Sequence, residues 1–112
     1  MTNLGTFFRK CYGAVTAEAS AEKKERLLLT ATVSHRPHID RLNLSQATYP
    51  TDAIKSNLDW INVRAYDFYD ALSSPIKITP PAALYNPSGI EAFEWVDACI
   101  SDWLNCAVPK TI

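Results

Sequence analysis

A tyrosine and an aspartate end the most regular apolar run of the chain, and both residue types can hold a polar ligand. The run covers residues 58–70, and Tyr66 and Asp67 directly follow its apolar part. If the run is a β-strand, one face carries Trp60, Asn62, Arg64 and Tyr66, and the other carries Ile61, Val63, Ala65 and Asp67. Apolar residues on both faces are typical of a parallel sheet covered by helices, whose carboxyl ends carry ligand groups. We therefore expect Tyr66 and Asp67 to lie at a site; the alternative is that they only end a buried strand.

Length and charge limit the kinds of protein that this chain can be. Its 112 residues are enough for one domain or part of one, and 47% hydrophobic with 21% charged residues is the composition of a soluble globular protein. The formal net charge of -1 gives no basic surplus, so we expect neither nucleic acid nor a membrane as a partner. The first residues lack a basic region followed by an apolar core, and no apolar run reaches the roughly 20 residues of a membrane span. No secretion signal is therefore predicted.

The cysteine and histidine positions predict no metal or redox site. Cys11, Cys99 and Cys106 are an odd set without Cys-x-x-Cys spacing, so neither a zinc site nor a disulfide framework is expected. Cys99 and Cys106 are about two helical turns apart, roughly 10 Å, which is too far for a disulfide within a regular helix. We interpret the three cysteines as buried free thiols and interpret His35 and His38 as loop residues. No cofactor is predicted.

Hydrophobic spacing predicts an alternation of helices and strands. Apolar residues recur at three- and four-residue steps over residues 3–25, which predicts an amphipathic helix with Thr2 or Asn3 as its N-cap. A short, partly β-branched apolar run at 27–33 predicts a buried strand. The remaining predicted elements before the last helix are a polar loop at 34–49, a helical turn at 52–55, the strand beginning at 58 and a loop at 70–87.

The C-terminal segment is expected to form a second amphipathic helix. Ser88 is its predicted N-cap, with Glu91 three residues later. Its apolar stripe consists of Ile90, Phe93, Val96, Ile100, Trp103 and Leu104. The resulting order of elements predicts a parallel α/β protein. Two parallel strands leave both sheet edges open, so the chain is expected to be one part of a larger sheet, with its two long loops at the carboxyl ends of the strands.

Two segments carry a resemblance to a known family. Residues 58–69 and the stretch Thr-Pro-Pro-Ala-Ala-Leu-Tyr-Asn-Pro at 79–87 closely resemble the family-18 glycoside hydrolases, and among them the plant class V chitinases. Residues 1–6, 26–33 and 96–108 are similar to further segments of the family in the same order. The resemblance implies that residues 1–112 are part of a catalytic domain with the (β/α)₈ barrel fold, containing about the fifth and sixth strands and their helices.

The same resemblance implies an activity and assigns roles to residues. The family hydrolyses β-1,4 linkages between N-acetylglucosamine units, with the substrate's own acetamide as nucleophile. Its general acid is a glutamate in an Asp-x-x-Asp-x-Asp-x-Glu motif, which this sequence does not contain, since its match begins just after that point. The sixth-strand signature Met-x-Tyr-Asp corresponds to residues 64–67, so Tyr66 would hydrogen-bond the acetamide and Asp67 the sugar. Arg64 replaces the methionine, and a charge inside a barrel requires a partner.

Three hypotheses follow for the function. The first is a truncated chitinase-like chain that is inactive alone, because the acid motif is absent. The second is a non-catalytic module, for binding chitin or other carbohydrate or for interaction, that uses Tyr66, Asp67, Phe68 and Tyr69. The third is an active enzyme assembled with another chain that supplies the other strands. In each case the expected ligand is chitin or an N-acetylglucosamine oligosaccharide, and the family is usually extracellular or vacuolar, although this sequence leaves its own location open.

Overall fold

The computed structural model describes residues 2–41, 44–68, 80–86 and 95–106. Their elements are α1 (Thr2–Glu22), β1 (Thr30–Ser34), β2 (His38–Arg41), β3 (Leu44–Thr48), α2 (Thr51–Asn57), β4 (Trp60–Arg64) and α3 (Val96–Asn105). The predicted first helix, both predicted strands and the short helix before the second strand are therefore confirmed as elements. The first strand begins later than predicted, at Thr30, and Leu27 and Leu28, predicted to be buried in it, precede it and are 64% and 63% exposed. Several expectations fall outside the described residues, namely those on Tyr69, on residues 70–79 and on the start of the last helix at Ser88.

Strands β1 and β4 form a parallel pair, which gives the α/β arrangement that the sequence predicts. Their register runs from Thr30 opposite Trp60 to Ser34 opposite Arg64. The connection between them contains a second, antiparallel pair, β2 with β3, and the helix α2. The prediction of a loop throughout 34–49 is therefore wrong, because β2 and β3 satisfy each other's backbone groups as a hairpin. His38, predicted to lie in a loop, begins β2.

The core lies between one face of the parallel pair and the helices. Four buried side chains from four elements form it: Phe8, Val33, Ile54 and Trp103. Partly buried apolar residues from the strands and their neighbours pack around them, including Leu4, Ala31, Tyr49, Leu58, Ile61 and Val63. Each helix thus contributes at least one large side chain to the core that covers the sheet. Burial of such apolar surface is the main source of folding stability.

The opposite face of the parallel pair is exposed, which corrects the expectation that β4 is buried on both sides. Trp60 is 44% exposed, and Asn62 and Arg64 on the same face are also exposed. Ile61 and Val63 on the other face are half-buried against the core. The described helices cover only one face of the two strands, so β4 is amphipathic with the period of two that a half-covered sheet produces.

An ion pair joins the beginnings of the two parallel strands. The Arg26 guanidinium donates to both carboxylate oxygens of Asp59, at 2.9 Å from Nη1 and 2.6 Å from Nη2. The backbone N–H of Leu29 donates to the same carboxylate at 2.7 Å, and the Asp59 N–H returns a bond to the Leu29 carbonyl at 2.8 Å. The hydrogen bonds from Arg26 and then from Leu29 lower the pKa of Asp59 to about 2. This bidentate pair holds residues 26–29 beside β4 before the strands begin to pair.

Two backbone features shape α1. At its C-terminal end, the Lys24 N–H donates to the Ala19 carbonyl at 3.0 Å. Lys23, the first residue after the helix, has a φ of 53°. This is the bond pattern of a Schellman motif, which ends a helix with one left-handed residue. Near the other end, a Cβ on Gly5 would lie 3.2 Å from Pro50 Cβ and 3.3 Å from Ala53 Cβ. Glycine therefore allows α1 to approach the beginning of α2 closely.

The last helix buries a narrower stripe than the sequence predicts. Cys99 and Trp103, one turn apart, are buried, whereas Ile100 is 40% exposed and Leu104 is 41% exposed. The expectation that Ile100 and Leu104 face the core is therefore wrong for the described residues, since α3 packs through the single row that contains Cys99 and Trp103. Cys99 is a buried free thiol as expected, while Cys11 and Cys106 are free and only half-buried. None of the helices in the described ranges is long and apolar enough to cross a membrane.

Candidate functional site

The candidate site is at the carboxyl ends of β1 and β4. The last residue pair of the two strands is Ser34 with Arg64, so the segments that begin at residues 35 and 65 leave the sheet side by side. Parallel strands have their carboxyl ends at the same end of the sheet, and side chains there are well placed to contact a ligand. Tyr66 and Asp67, which the sequence predicts as site residues, lie immediately beyond this end of β4.

Tyr66 is held by the arginine two residues before it. Arg64 Nε donates a hydrogen bond of 3.2 Å to the Tyr66 hydroxyl oxygen, and Arg64 Cζ is 5.5 Å from the centre of the Tyr66 ring. The Tyr66 side chain is 50% exposed. Because the hydroxyl oxygen accepts from Arg64, its own proton can be directed to a ligand. The arrangement therefore presents a phenol donor whose ring is fixed on one side by a guanidinium.

Asp67 adopts a backbone conformation that turns the chain away from the strand. Its φ is 57°, in the left-handed region that few residues other than glycine, asparagine and aspartate enter. The next residue, Phe68, donates its backbone N–H to the Pro81 carbonyl at 3.0 Å. Left-handed residues of this kind are found at functional turns, where neighbouring contacts fix them. Asp67 is exposed at this turn and can accept hydrogen bonds from a polar ligand.

Phe68 connects the segments that follow the two strands. It is half-buried, and its ring meets the ring of His35 edge to face at a centroid distance of 5.7 Å and an interplanar angle of 85°. Edge-to-face aromatic pairs are favourable contacts. His35 lies just beyond β1 as the sequence predicts, but its contact with Phe68 was not foreseen, since the two residues are far apart in the chain. Tyr69, the fourth predicted site residue, is outside the described ranges.

Two aromatic residues fix the end of β1 beneath this site. The Ser34 backbone N–H donates to the Tyr49 hydroxyl at 3.2 Å, and the Ser34 carbonyl accepts from Trp103 Nε1 at 3.1 Å. The Tyr49 and Trp103 rings pack together with their centroids 5.3 Å apart. Sequence reasoning placed Trp103 in the core but missed this role. The available signal was that a buried indole requires a hydrogen-bond acceptor.

The site offers hydrogen bonds and aromatic surface rather than metal ligands. Within the described residues, no three histidine, cysteine, aspartate or glutamate side chains are grouped to hold a metal ion. Exposed polar groups at the carboxyl end of β4 include the Tyr66 phenol, the Asp67 carboxylate and the Arg64 guanidinium. The exposed face of the same strand also carries the Asn62 amide and, at its beginning, the Trp60 indole. Exposed rings together with donors and acceptors can bind a polar ligand that has flat apolar faces.

A separate cleft lies between α1 and α2. Its volume is about 490 Å³, and it is lined by residues of both helices and of the segment before α2: Gly5, Arg9, Tyr49, Pro50, Thr51, Asp52, Ala53, Ser56 and Asn57. The cleft shares no lining residue with the candidate site. Tyr49 is the connection between them, because its hydroxyl accepts from the Ser34 N–H and the residue also lines the cleft.

Comparisons with known proteins identify the family of this chain. The family model described as glycosyl hydrolases family 18 matches residues 1–111. A class V chitinase from Arabidopsis thaliana is 42% identical over 109 residues, a match that covers 97% of this chain and 27% of the relative. The chain therefore spans about a quarter of that relative's length.

Solved structures give the same result for the fold. A class V chitinase from Nicotiana tobaccum in complex with NAG4 superposes with a TM-score of 0.80 at 36% identity, covering 96% of this chain and 29% of that one. A chitinase-like agglutinin from Robinia pseudoacacia has a TM-score of 0.76, also at 36% identity, and the match covers 96% of this chain and 30% of that chain. The two parallel strands and their helices are thus part of a (β/α)₈ barrel, and the chain belongs to family 18 of the glycosyl hydrolases, where it is related to the class V chitinases.

Proposed function

We propose that these 112 residues form the acetamide-binding part of a family 18 sugar site and do not by themselves hydrolyse N-acetylglucosamine linkages. The observation that carries the proposal is the position of Tyr66, half-exposed beyond the carboxyl end of β4 with its hydroxyl oxygen already hydrogen-bonded to Arg64. A phenol in this state has its proton available for the carbonyl oxygen of an acetamide.

Asp67 and the aromatic residues complete the proposed binding site. The Asp67 carboxylate is exposed beside Tyr66 and would accept hydrogen bonds from sugar hydroxyls. Phe68 is fixed by its contact with His35 and by its backbone bond to Pro81, so it would support the Tyr66–Asp67 turn. Tyr69 is proposed as a further sugar contact. A mutant of the similar Nicotiana tobaccum class V chitinase was solved in complex with NAG4, which supports an N-acetylglucosamine oligosaccharide as the ligand here.

The lack of hydrolysis is proposed from the sequence. The 112 residues contain no Asp-x-x-Asp-x-Asp-x-Glu motif, and therefore no general acid of the family's type. General acid catalysis typically contributes about 10²- to 10⁴-fold in rate. A release assay with a chromogenic chito-oligosaccharide tests this point, with a purified class V chitinase as the positive control. We expect no release above the buffer rate, and turnover by the pure chain would refute the proposal.

Binding is tested by calorimetry with chitotetraose. Tyr66→Phe removes the proposed phenol donor while keeping the ring, and we expect it to weaken binding by roughly tenfold, the equivalent of one hydrogen bond. Tyr12→Phe is the matched control, because Tyr12 lies on α1 and contacts Arg26 instead of the site. Equal affinities for the Tyr66→Phe variant and the unmodified chain would contradict the assignment of Tyr66.

A second candidate function is favoured by one comparison. The similar Robinia pseudoacacia protein is a chitinase-like agglutinin, so a member of this family can be a carbohydrate-binding protein. We propose, as the alternative, that the chain is a non-catalytic carbohydrate-binding module. Both proposals expect no release of the chromogenic group, but a binding module additionally requires chitotetraose binding with a dissociation constant in the micromolar range. No heat at millimolar ligand would count against this function.

A further inference from the structure

The proposed function uses only the Nε atom of Arg64, which donates to the Tyr66 hydroxyl. Arg64 is the last residue of β4, it is exposed, and it lies on the same sheet face as Trp60 and Asn62. Its contacts in the described part of the chain are with Tyr66, through the Nε hydrogen bond and the guanidinium over the ring. A neutral hydrogen-bond donor would be sufficient to hold the Tyr66 hydroxyl, so the positive charge itself requires an explanation.

Two other arginines in the described ranges pair with carboxylates, whereas Arg9 donates to the hydroxyl of Thr6. Arg26 binds both carboxylate oxygens of Asp59, and the Nε of Arg36 lies 3.9 Å from a carboxylate oxygen of Asp102. Arg64 has no carboxylate partner among the described residues. Its Nε is occupied by Tyr66, while the outer edge of the guanidinium, with Nη1 and Nη2, has no carboxylate partner in these ranges.

The outer edge of the guanidinium has a definite chemical preference. Two parallel N–H donors from Nη1 and Nη2 match the two oxygens of a carboxylate, and such bidentate pairs are stronger and more directional than neutral hydrogen bonds. The Tyr66 hydroxyl fixes Nε, so the guanidinium loses little further freedom when it binds a ligand. Arg64 and Tyr66 thus present a carboxylate-binding group directly beside an acetamide-binding group.

We propose that Arg64 makes this site selective for an acidic glycan, in which a sugar that carries a carboxylate adjoins an N-acetylated sugar. This inference rests on the proposed function, since it places the acetamide on Tyr66 and adds the carboxylate on Arg64. Arg64 is then a specificity-determining residue, and a neutral N-acetylglucosamine oligomer would leave its charge without a partner.

The test is a calorimetric comparison of two matched ligands. The acidic probe is a tetrasaccharide of alternating glucuronic acid and N-acetylglucosamine, and the neutral probe is the same tetrasaccharide with its carboxylates reduced to primary alcohols. At low salt we expect the acidic probe to bind about tenfold more tightly, the effect of one charge-assisted pair. The preference should fall as salt is raised, because the pair is exposed. Equal affinity of the two probes would overturn the inference.

Variants of Arg64 identify the source of the preference. Arg64→Met should abolish it, and Arg64→Lys should retain only part of it, since an ammonium cannot form the bidentate pair. Arg9→Met is the matched control, because Arg9 lies on α1 and contacts Thr6, and it should keep the full preference. Circular dichroism confirms that each variant is folded. A preference that persists in Arg64→Met would overturn the inference.

Chitotetraose separates failure of this inference from failure of the proposed function. If chitotetraose binding depends on Tyr66 but the two tetrasaccharides bind equally, the proposed function stands and the role of Arg64 is refuted. If only the acidic probe binds and the binding depends on Arg64 but not on Tyr66, the acetamide site is refuted and Arg64 alone is an anion site. If none of the three ligands binds, both proposals are wrong.

Discussion

The indole Nε1 of Trp103 donates a hydrogen bond of 3.1 Å to the backbone carbonyl of Ser34, across a separation of 69 residues. Trp103 is only 2% exposed, and Ser34 is the last residue of β1. The bond therefore joins the C-terminal helix to the point where the chain leaves the sheet toward the candidate site. Tyr49 binds the other backbone group of Ser34, so both aromatic residues fix the same strand end.

We expect Tyr49→Phe to destabilise the protein by about 0.5–1.5 kcal/mol. The change leaves the ring in contact with Trp103 but removes the acceptor for the Ser34 N–H, and this is the typical net value of one hydrogen bond. Urea denaturation followed by tryptophan fluorescence measures the difference. Tyr85→Phe is the matched control, since Tyr85 is 68% exposed and its change should stay within about 0.5 kcal/mol. Equal effects of the two substitutions would show that the Tyr49 hydroxyl stabilises nothing.

The core should be sensitive to the loss of one methyl group from Ile54. This side chain is 2% exposed and packs in the cluster with Phe8, Val33 and Trp103. Ile54→Val should lower the free energy of unfolding by about 0.5–1.5 kcal/mol, because the lost contacts and the small cavity add together. Ile100→Val deletes the same group from a side chain that is 40% exposed, and it should cost less than Ile54→Val in the same denaturation experiment. A larger effect at Ile100 would contradict the burial described for α3.

Acid should weaken the fold through Asp59. The pKa of its carboxyl is lowered from 3.8 to about 2, chiefly by the hydrogen bond from Arg26. The unfolded state therefore binds a proton more readily than the folded state between these pH values, and stability falls as the pH falls. The contribution is complete above about pH 4 and is lost as the pH approaches 2. Melting temperatures between pH 2 and pH 5, followed by circular dichroism, measure this loss.

The control for the acid experiment separates Asp59 from the other carboxylates. Asp59→Asn should have a lower melting temperature near neutral pH and a smaller fall on acidification, since its amide does not titrate. Glu18→Gln removes an exposed carboxylate from the middle of α1 and should keep the acid response of the unmodified chain. An Asp59→Asn variant with an unchanged acid response would refute the assignment.

The C-terminal end of α1 offers a stabilising substitution. Lys23 has a φ of 53° in a Schellman motif closed by the Lys24–Ala19 hydrogen bond, a position that glycine occupies with less strain. We expect Lys23→Gly to raise the free energy of unfolding by a few tenths to about 1 kcal/mol. Lys24→Gly, at the adjacent position without a positive φ, should not stabilise. Chemical denaturation compares the two, and a destabilised Lys23→Gly variant would contradict the left-handed conformation.

The sequence determined most of the helices and strands and the position of the candidate site. The three- and four-residue steps of apolar residues were sufficient for α1, and the apolar runs were sufficient for the existence of β1 and β4. The runs did not determine burial, since Leu27, Leu28 and Trp60 are exposed. The family signature at residues 64–67 located Tyr66 and Asp67 at a strand end. The hairpin of β2 and β3 was missed, because most of its residues are polar and the pairing satisfies backbone groups that carry no sequence signal.

Only the tertiary structure decided which partners the site residues have. The His35–Phe68 ring contact and the bonds of Tyr49 and Trp103 to Ser34 join residues that are distant in the chain, and such contacts depend on how the elements pack. The exposed face of β4 depends likewise on which side of the strands the described helices cover. Arg64 and Tyr66 are an intermediate case, since the sequence placed both on one strand face. Only the folded structure showed that the Arg64 guanidinium is held beside the Tyr66 phenol, because there the Arg64 side chain lies against the Tyr66 ring.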